Sequence, residues 1–406
     1  SLDLSANTQL ENLYCYFNSL TSLNIQNGNN NSLSNFNAIG NPSLTCIQVD
    51  DPTFMNTTWN AAKDATATYS TVCPICNVNI PDVAFKTALL AIPGLDANSD
   101  SEIQCAEAAA YAGGIFVNNL NIADLTGIEA FTLITNLECG DNQLTSLDVS
   151  TNTALALLVC YNNQLTSLDL SANTALQTLN CADNQITGLN LTSNALLDYI
   201  ECRNNQLTSL TLPVNSAATS IFCGSNLLTS LDLSGTTGLV YLECQNNQLA
   251  SLVLPPNSSN SAIYCYNNQL TNLDITAFTG LQHLEAGNNQ LTSINMLNNT
   301  ALDYLVINDN LLTGLDLSNN TLLNALNCVN NQITALDLSN MPSLVYLDCE
   351  SNQLTSLNVQ NGNNTNFTGF YSNNNSSLNC IQVDNPAYSA TAPNLIKDAT
   401  AVYSTH

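Results

Sequence analysis

The chain runs to 406 residues, 45% of them hydrophobic and only 9% charged, so most of its surface polarity has to come from Asn, Ser and Thr. Its 4 Lys and Arg stand against 31 Asp and Glu, a formal charge of -27 that repels phosphate backbones and argues against a nucleic-acid partner, while suiting solubility and divalent cations. No apolar run approaches the roughly 20 residues of a membrane helix and no secretory leader is visible, so the sequence predicts no membrane insertion.

In chain order, the stretch from Ser1 to Thr8 reads as the second half of a repeating phrase, which predicts that the chain is a piece of a longer protein. One good repeat follows at Cys15, Asn18, Leu20 and Leu23, and the pattern then decays through the polar run 27–31. Residues 30–73 read as a polar lid, needed because the last turn of a stack has no neighbour to cover its core. Cys46 and Cys73 flank this lid and are predicted to form a disulfide. The same ending recurs: Ser43-Leu-Thr-Cys46-Ile-Gln-Val-Asp matches Ser377-Leu-Asn-Cys380-Ile-Gln-Val-Asp, and Lys63-Asp-Ala-Thr-Ala matches Lys397-Asp-Ala-Thr-Ala, each 334 residues on. Residues 362–406 are therefore a second C-terminal cap, and the partner of Cys380 is expected at position 407.

Residues 74–130 read as the N-terminal cap of the main array. Cys73-Pro-Ile-Cys76 is a CxxC that suits a redox pair or half a zinc site; the other reading places the two in different bridges, Cys76 reaching Cys105. The segments Pro81 to Ile92 and Ala106 to Tyr111 have helix-forming composition, the first with an acidic opening turn. Between them, Asp96-Ala-Asn98-Ser-Asp100-Ser-Glu102-Ile103-Gln-Cys-Ala-Glu107 resembles an EF-hand calcium loop. The resemblance implies Asp96, Asn98 and Asp100 as side-chain ligands, Glu102 as a carbonyl ligand and Glu107 as the bidentate one, with calcium as a structural staple. Ser101 departs from it, standing where that family has Gly for a positive-φ turn.

Over residues 131–361 a 21-residue phrase recurs, cleanest from Leu176 to Leu191, and its sixth position falls at 139, 160, 181, 202, 223, 244, 265, 286, 307, 328 and 349. Eleven copies without insertion mean a solenoid, in which stacked turns share one core. The phrase LxxLxCxxNxLxxLxL resembles the leucine-rich repeat. The resemblance implies an α/β repeat fold, a solenoid with a parallel β-sheet on its concave face, and it makes residues 1–73 the end and cap of a preceding leucine-rich-repeat array. Positions one, four, eleven and fourteen form an apolar ladder, as in Leu197, Ile200, Leu207 and Leu210. The ninth position is always Asn, from Asn142 to Asn352, and is read as structural because an amide can satisfy turn backbone inside the stack. Ten of the 15 Cys occupy the sixth position. They read as small buried hydrophobes that stay reduced, because Ala286 and Ile307 fill the same slot and in-register strands about 4.8 Å apart hold Cβ atoms too far apart for a disulfide.

The remaining strand positions point into the curve, and there the sequence places a candidate binding face. Position three carries Tyr199, Tyr241, His283, Tyr304 and Tyr346; position five carries Glu201, Glu243, Tyr264 and Glu285; position seven carries Tyr161, Arg203 and Tyr266. Tyr joins a rigid apolar face to a polar tip, a combination found at protein interfaces and able to stack sugar rings; strand positions also favour Tyr for packing alone. Thr145, Thr166, Thr187, Thr208 and Thr229 form a second row whose spacing can match an ice lattice, although repetition by itself produces such a row.

Catalysis finds no support: two His, no GxSxG, HExxH or P-loop, and no reason for Glu201 or Glu243 to shift on a solvated surface. In its finer features, the Cys, the Asn-Gln-Leu-Thr-Ser-Leu-Asp-Leu core, the Ile80-Pro-Asp-Val-Ala-Phe-Lys86 opening and the Thr45-Cys-Ile-Gln-Val-Asp50 ending, the chain resembles large secreted leucine-rich-repeat proteins of Bacteroidetes. That resemblance implies an extracellular or cell-surface protein exported by type IX secretion and linked to adhesion or gliding motility. The reading is a non-catalytic, adhesin-like interaction protein that binds protein or glycan on its concave face; the alternative is a passive spacer in a large exported protein.

Overall fold

The computed structural model describes residues 2–74, 76–256 and 261–406. The chain divides into two compact units, one of residues 1–78 and 93–110, the other of residues 79–92 and 111–406.

In the larger unit, each turn of the sequence contributes one three-residue strand to a 14-stranded sheet. All of its pairings are parallel, and within the array the register is the repeat itself: Thr178 lies beside Tyr199, Tyr199 beside Ser220, and Ser220 beside Tyr241. The strands are short because the chain turns on both sides of the third to fifth positions; some return segments add short parallel strands of their own, such as Gly188–Asn190 beside Ser209–Thr211. The middle residue of each, such as Leu158, Ile200, Leu242 or Leu347, faces inward with no solvent exposure, and the sixth-position Cys follows it into the core. The last Leu of the phrase, at the sixteenth position, adds a fifth apolar row, where Leu170, Leu191, Leu233 and Met296 are buried. Burial of such a side chain contributes about 1.5–3 kcal/mol, and every rung is shared by two neighbours, so the stack is stable only collectively.

The ninth-position Asn row does what its chemistry demands. Asn163 donates from Nδ2 to the carbonyls of Cys139 (3.0 Å) and Cys160 (3.1 Å), and its Oδ1 accepts from Leu144 N (2.9 Å). Asn184, Asn226 and Asn331 repeat the pattern on their own turns. One residue earlier the chain turns through the left-handed region at Asp141 (φ 54°), Asn162 (φ 48°), Asp183 (φ 54°) and Asn204 (φ 52°), which explains the Asn, Asp or Ser found there. A second buried row runs along the return segments: Asn173 Nδ2 donates to Val149 O and Asn152 O, and Asn194 Nδ2 to Leu170 O and Asn173 O.

At the start of this unit, Asp82 caps the helix Val83–Leu90 by accepting from Ala84 N and Phe85 N. Its other oxygen accepts from Ala123 N and Asp124 N, tying the helix to the first turn of the stack.

The smaller unit builds a four-stranded parallel sheet from Leu2–Asp3, Leu23–Asn24, Cys46–Gln48 and Thr68–Ser70 around Ile25, Leu44, Ile47, Val49 and Met55. Asp51 caps the helix Pro52–Thr58, and Cys46 is bonded to Cys73. Cys76 is bonded to Cys105, the reading of the CxxC motif that puts its cysteines in different bridges; Ile75 of that motif lies outside the described residues. The two endings match in their hydrogen bonds as well as in sequence. Asn41 Nδ2 donates to Cys15 O and Ala38 O while Asp64 accepts from Gly40 N and Asn41 N. Asn375 Nδ2 donates to Cys349 O and Ser372 O while Asp398 accepts from Asn374 N and Asn375 N.

Candidate functional site

The outward residues of the strands meet on the concave sheet. Their arrangement follows from an alternation that spans two turns: Tyr199-x-Glu201, Ser220-x-Phe222, Tyr241-x-Glu243, Ala262-x-Tyr264, His283-x-Glu285. In register, each aromatic lies beside a small residue or a carboxylate of the adjacent strand, never beside an aromatic at the same position until Tyr304 follows His283. The rings therefore lean diagonally onto one another and form a continuous row. Centroid separations run from Tyr199 to Phe222 (5.2 Å), Tyr241 (5.2 Å), Tyr264 (5.5 Å), His283 (5.1 Å) and Tyr304 (4.2 Å, stacked). The first four contacts are tilted by 35–42° and the last, His283 with Tyr304, is stacked at 10°, so each ring leans on the next.

Carboxylates are threaded through this row. Glu201 is buried and accepts from Tyr199 Oη (3.0 Å), and Arg203 grips it with Nε (2.6 Å) and Nη2 (2.9 Å). Arg203 also reaches Glu243 with Nη1 at 3.7 Å and lies 5.7 Å from the Phe222 ring centre. Glu243 accepts from Tyr241 Oη (3.2 Å) and Gln245 Nε2 (3.3 Å), and Glu285 lies 3.2 Å from His283 Nε2. Burial, with the neighbouring Glu201 charge, pushes the Tyr199 hydroxyl up to about 12; burial and a hydrogen bond with Tyr264 raise Tyr241. Tyr266 and Tyr304 are raised by burial and then by the Glu285 charge, so the phenols stay protonated as donors.

Three predicted rings, Tyr161, Tyr266 and Tyr346, fall outside the row. Tyr161 packs over Gly140 and donates to Asp141 Oδ2 (2.9 Å), while Tyr346 is separated from Tyr304 by Ala325 and contacts Tyr371 at 6.1 Å. Asp141 and Tyr371 were not legible as participants, because Asp141 stands at a turn position and Tyr371 lies past the last regular repeat.

The loop from Asp96 to Glu107 is folded on its own amides. Asp96 accepts from Asp100 N and Ser101 N, Asn98 Oδ1 from Asp100 N, and Asp100 Oδ1 from Glu102 N. Ser101 takes φ 65°, the left-handed turn at the position where the sequence has no Gly. Ile103 is fully buried. Glu107, in the first turn of the helix Cys105–Ala110, accepts from Ala97 N (2.8 Å) and Gln104 N (2.9 Å). The donor set is all oxygen, as a calcium site requires. Among the described residues, however, no three His, Cys, Asp or Glu side chains converge as metal ligands, and Glu107 would have to leave its amides to become one.

Comparison with protein-family models and with curated proteins finds no match. Among solved structures, the functional domain of InlJ from Listeria monocytogenes is similar at 26% identity over 80% of this chain and 81% of that one, with a TM-score of 0.48. An internalin, inlF, from Listeria monocytogenes is similar at 20% identity over 70% of this chain and 94% of its own, with a TM-score of 0.51. The leucine-rich repeat domain of APL1B is similar at 18% identity over 66% of this chain and 80% of its own, with a TM-score of 0.52. With the repeat, the register and the stacked strands on the page, the chain is a leucine-rich-repeat solenoid with a parallel sheet on its concave face.

Proposed function

We propose that this chain is a non-catalytic interaction module that binds a partner on its concave sheet. The observation that carries the reading is the unbroken row of six rings with carboxylates between them on one face. Rings that lean on one another, interleaved with carboxylates, suit a protein surface better than a sugar ring, which needs an open plane, so protein ranks before glycan. The mutual packing of the rings also favours a second reading, a spacer whose aromatic row serves only to stiffen the sheet.

Substituting Tyr199, Tyr241 and Tyr304 together by Ala separates the two. A binding module loses attachment to target cells or proteins by an order of magnitude or more, as hot-spot truncation does, while its fold persists by circular dichroism; a spacer keeps its attachment unchanged. An extracellular or cell-surface place, export by type IX secretion and a role in adhesion or gliding are supported by the resemblance to secreted Bacteroidetes proteins; no described helix is long and apolar enough to cross a membrane. Calcium in the loop is supported by the all-oxygen donors and the Ser101 turn. Asp96, Asn98, Asp100, Glu102 and Glu107 would hold it, and the ion would staple the loop. Melting with calcium and with chelator tests this: an unchanged transition removes calcium from the reading.

A further inference from the structure

The two-turn alternation makes a second copy of the Arg203 clamp, and the copy lacks its arginine. In the first copy the guanidinium sits between Glu201 and Glu243 beside the Phe222 ring, and Tyr199 holds the Glu201 carboxylate. Every one of these residues has a counterpart 42 positions on: Glu243, Glu285, Tyr264 and Tyr241, with the last holding Glu243 in the same way. The counterpart of Arg203 is Gln245, whose amide lies over Gly224 and donates to Glu243 at 3.3 Å without reaching Glu285 as Arg203 reaches Glu243. Among the described residues no lysine or arginine stands between Glu243 and Glu285 as Arg203 stands between Glu201 and Glu243: Arg203 is the one Lys or Arg of the array and reaches only the near side of Glu243 at 3.7 Å, and the imidazole of His283 flanks Glu285 at 3.2 Å. At equivalent positions the second clamp is the more open: the Glu243 side chain is 16% exposed against 3% for Glu201, and Glu285 is 26% exposed against 16% for Glu243.

We propose that the clamp of Glu243, Tyr264 and Glu285 receives an arginine side chain from a protein partner. The inference rests on the reading of the concave sheet as a binding face and names the chemistry of its anchor. Arg203 shows in the same molecule how the group is held: a planar fork pairs with a carboxylate while its flat face lies near a ring. Ammonium groups have neither the fork nor the plane, so lysine is the poorer occupant. The formal charge of -27 draws a basic segment toward the face before contact.

The test uses the full chain and a fluorescent peptide with one central arginine, alongside versions carrying citrulline or lysine in its place. The arginine peptide binds, and citrulline, which keeps the shape and loses the charge, weakens binding by about tenfold or more, the size expected of a charge-assisted hydrogen bond. Glu285→Gln gives a similar loss for the arginine peptide with unchanged melting. Gln245→Arg fills the clamp from within and competes the peptide away, which separates occupancy of the site from damage to it. Equal binding of the arginine and citrulline peptides, or indifference to Glu285→Gln and Gln245→Arg, overturns the proposal. An array of unrelated peptides distinguishes the wider failure: arginine-free peptides held by the wild type and lost by the Tyr199, Tyr241 and Tyr304 variant leave the binding face standing without its arginine anchor, and an array that holds nothing removes both.

Discussion

The sixth-position cysteines are legible as core at the level of single residues, because Ala286 and Ile307 take the same place, and all of those in the array are free thiols with no solvent exposure. Burial pushes Cys139, Cys223 and Cys265 from the ordinary 9.0 up to about 12. The folded chain thus holds protons that the unfolded chain releases above the ordinary value, so by linkage the stability is whole below 9.0 and is lost as pH rises toward about 12. Melting temperature measured against pH should be level up to about 9 and fall steeply between there and about 12. Tyr199 titrates in the same range, so the thiol share is isolated by Cys181→Ala with Cys202→Ala, which makes the fall shallower; an identical slope in the variant would place the effect elsewhere.

At the scale of the element, the strands hold their register through the Asn rows. Asn163→Ala leaves Leu144 N without its acceptor inside the stack and takes from Cys139 O and Cys160 O one of the two amide donors each has, at a cost of about 1–3 kcal/mol in denaturant unfolding. Gln164→Ala, one residue on and exposed, should stay within about 0.5 kcal/mol. The ninth-position row was legible because every copy carries the same residue. The return-side row of Asn152, Asn173 and Asn194 was not, because Thr236, Phe278 and Met341 interrupt it and their burial by apolar packing hides the common slot. The aromatic row was legible in its members but not in its contacts: only the register shows that Tyr199 leans on Phe222 and Phe222 on Tyr241, turning ring faces from binding to packing.

For the whole molecule, an excess of 27 negative charges sets a self-repulsion that no pairwise contact removes. Added monovalent salt screens it over roughly a Debye length of 8–10 Å, so the melting temperature should rise with salt at neutral pH; a fall would show that ion pairs such as Arg203 with Glu201 outweigh the repulsion. Fold class was readable from the period alone, since a strict repeat admits little but a stack. The Asp96 to Glu107 loop was readable as a turn, but that Glu107 accepts from Ala97 N and Gln104 N was not, because a sequence shows which oxygens are near and not which amides they meet. The two-turn alternation also gives the array a grammar of inheritance. Losing the single turn that carries Phe222 would bring Glu201 beside Glu243, carboxylate against carboxylate about 4.8 Å apart. Losing or gaining two turns restores every neighbour. A gene that changes length by slippage can therefore lengthen or shorten this face only in steps of two turns, and related chains should differ across it by even numbers of repeats.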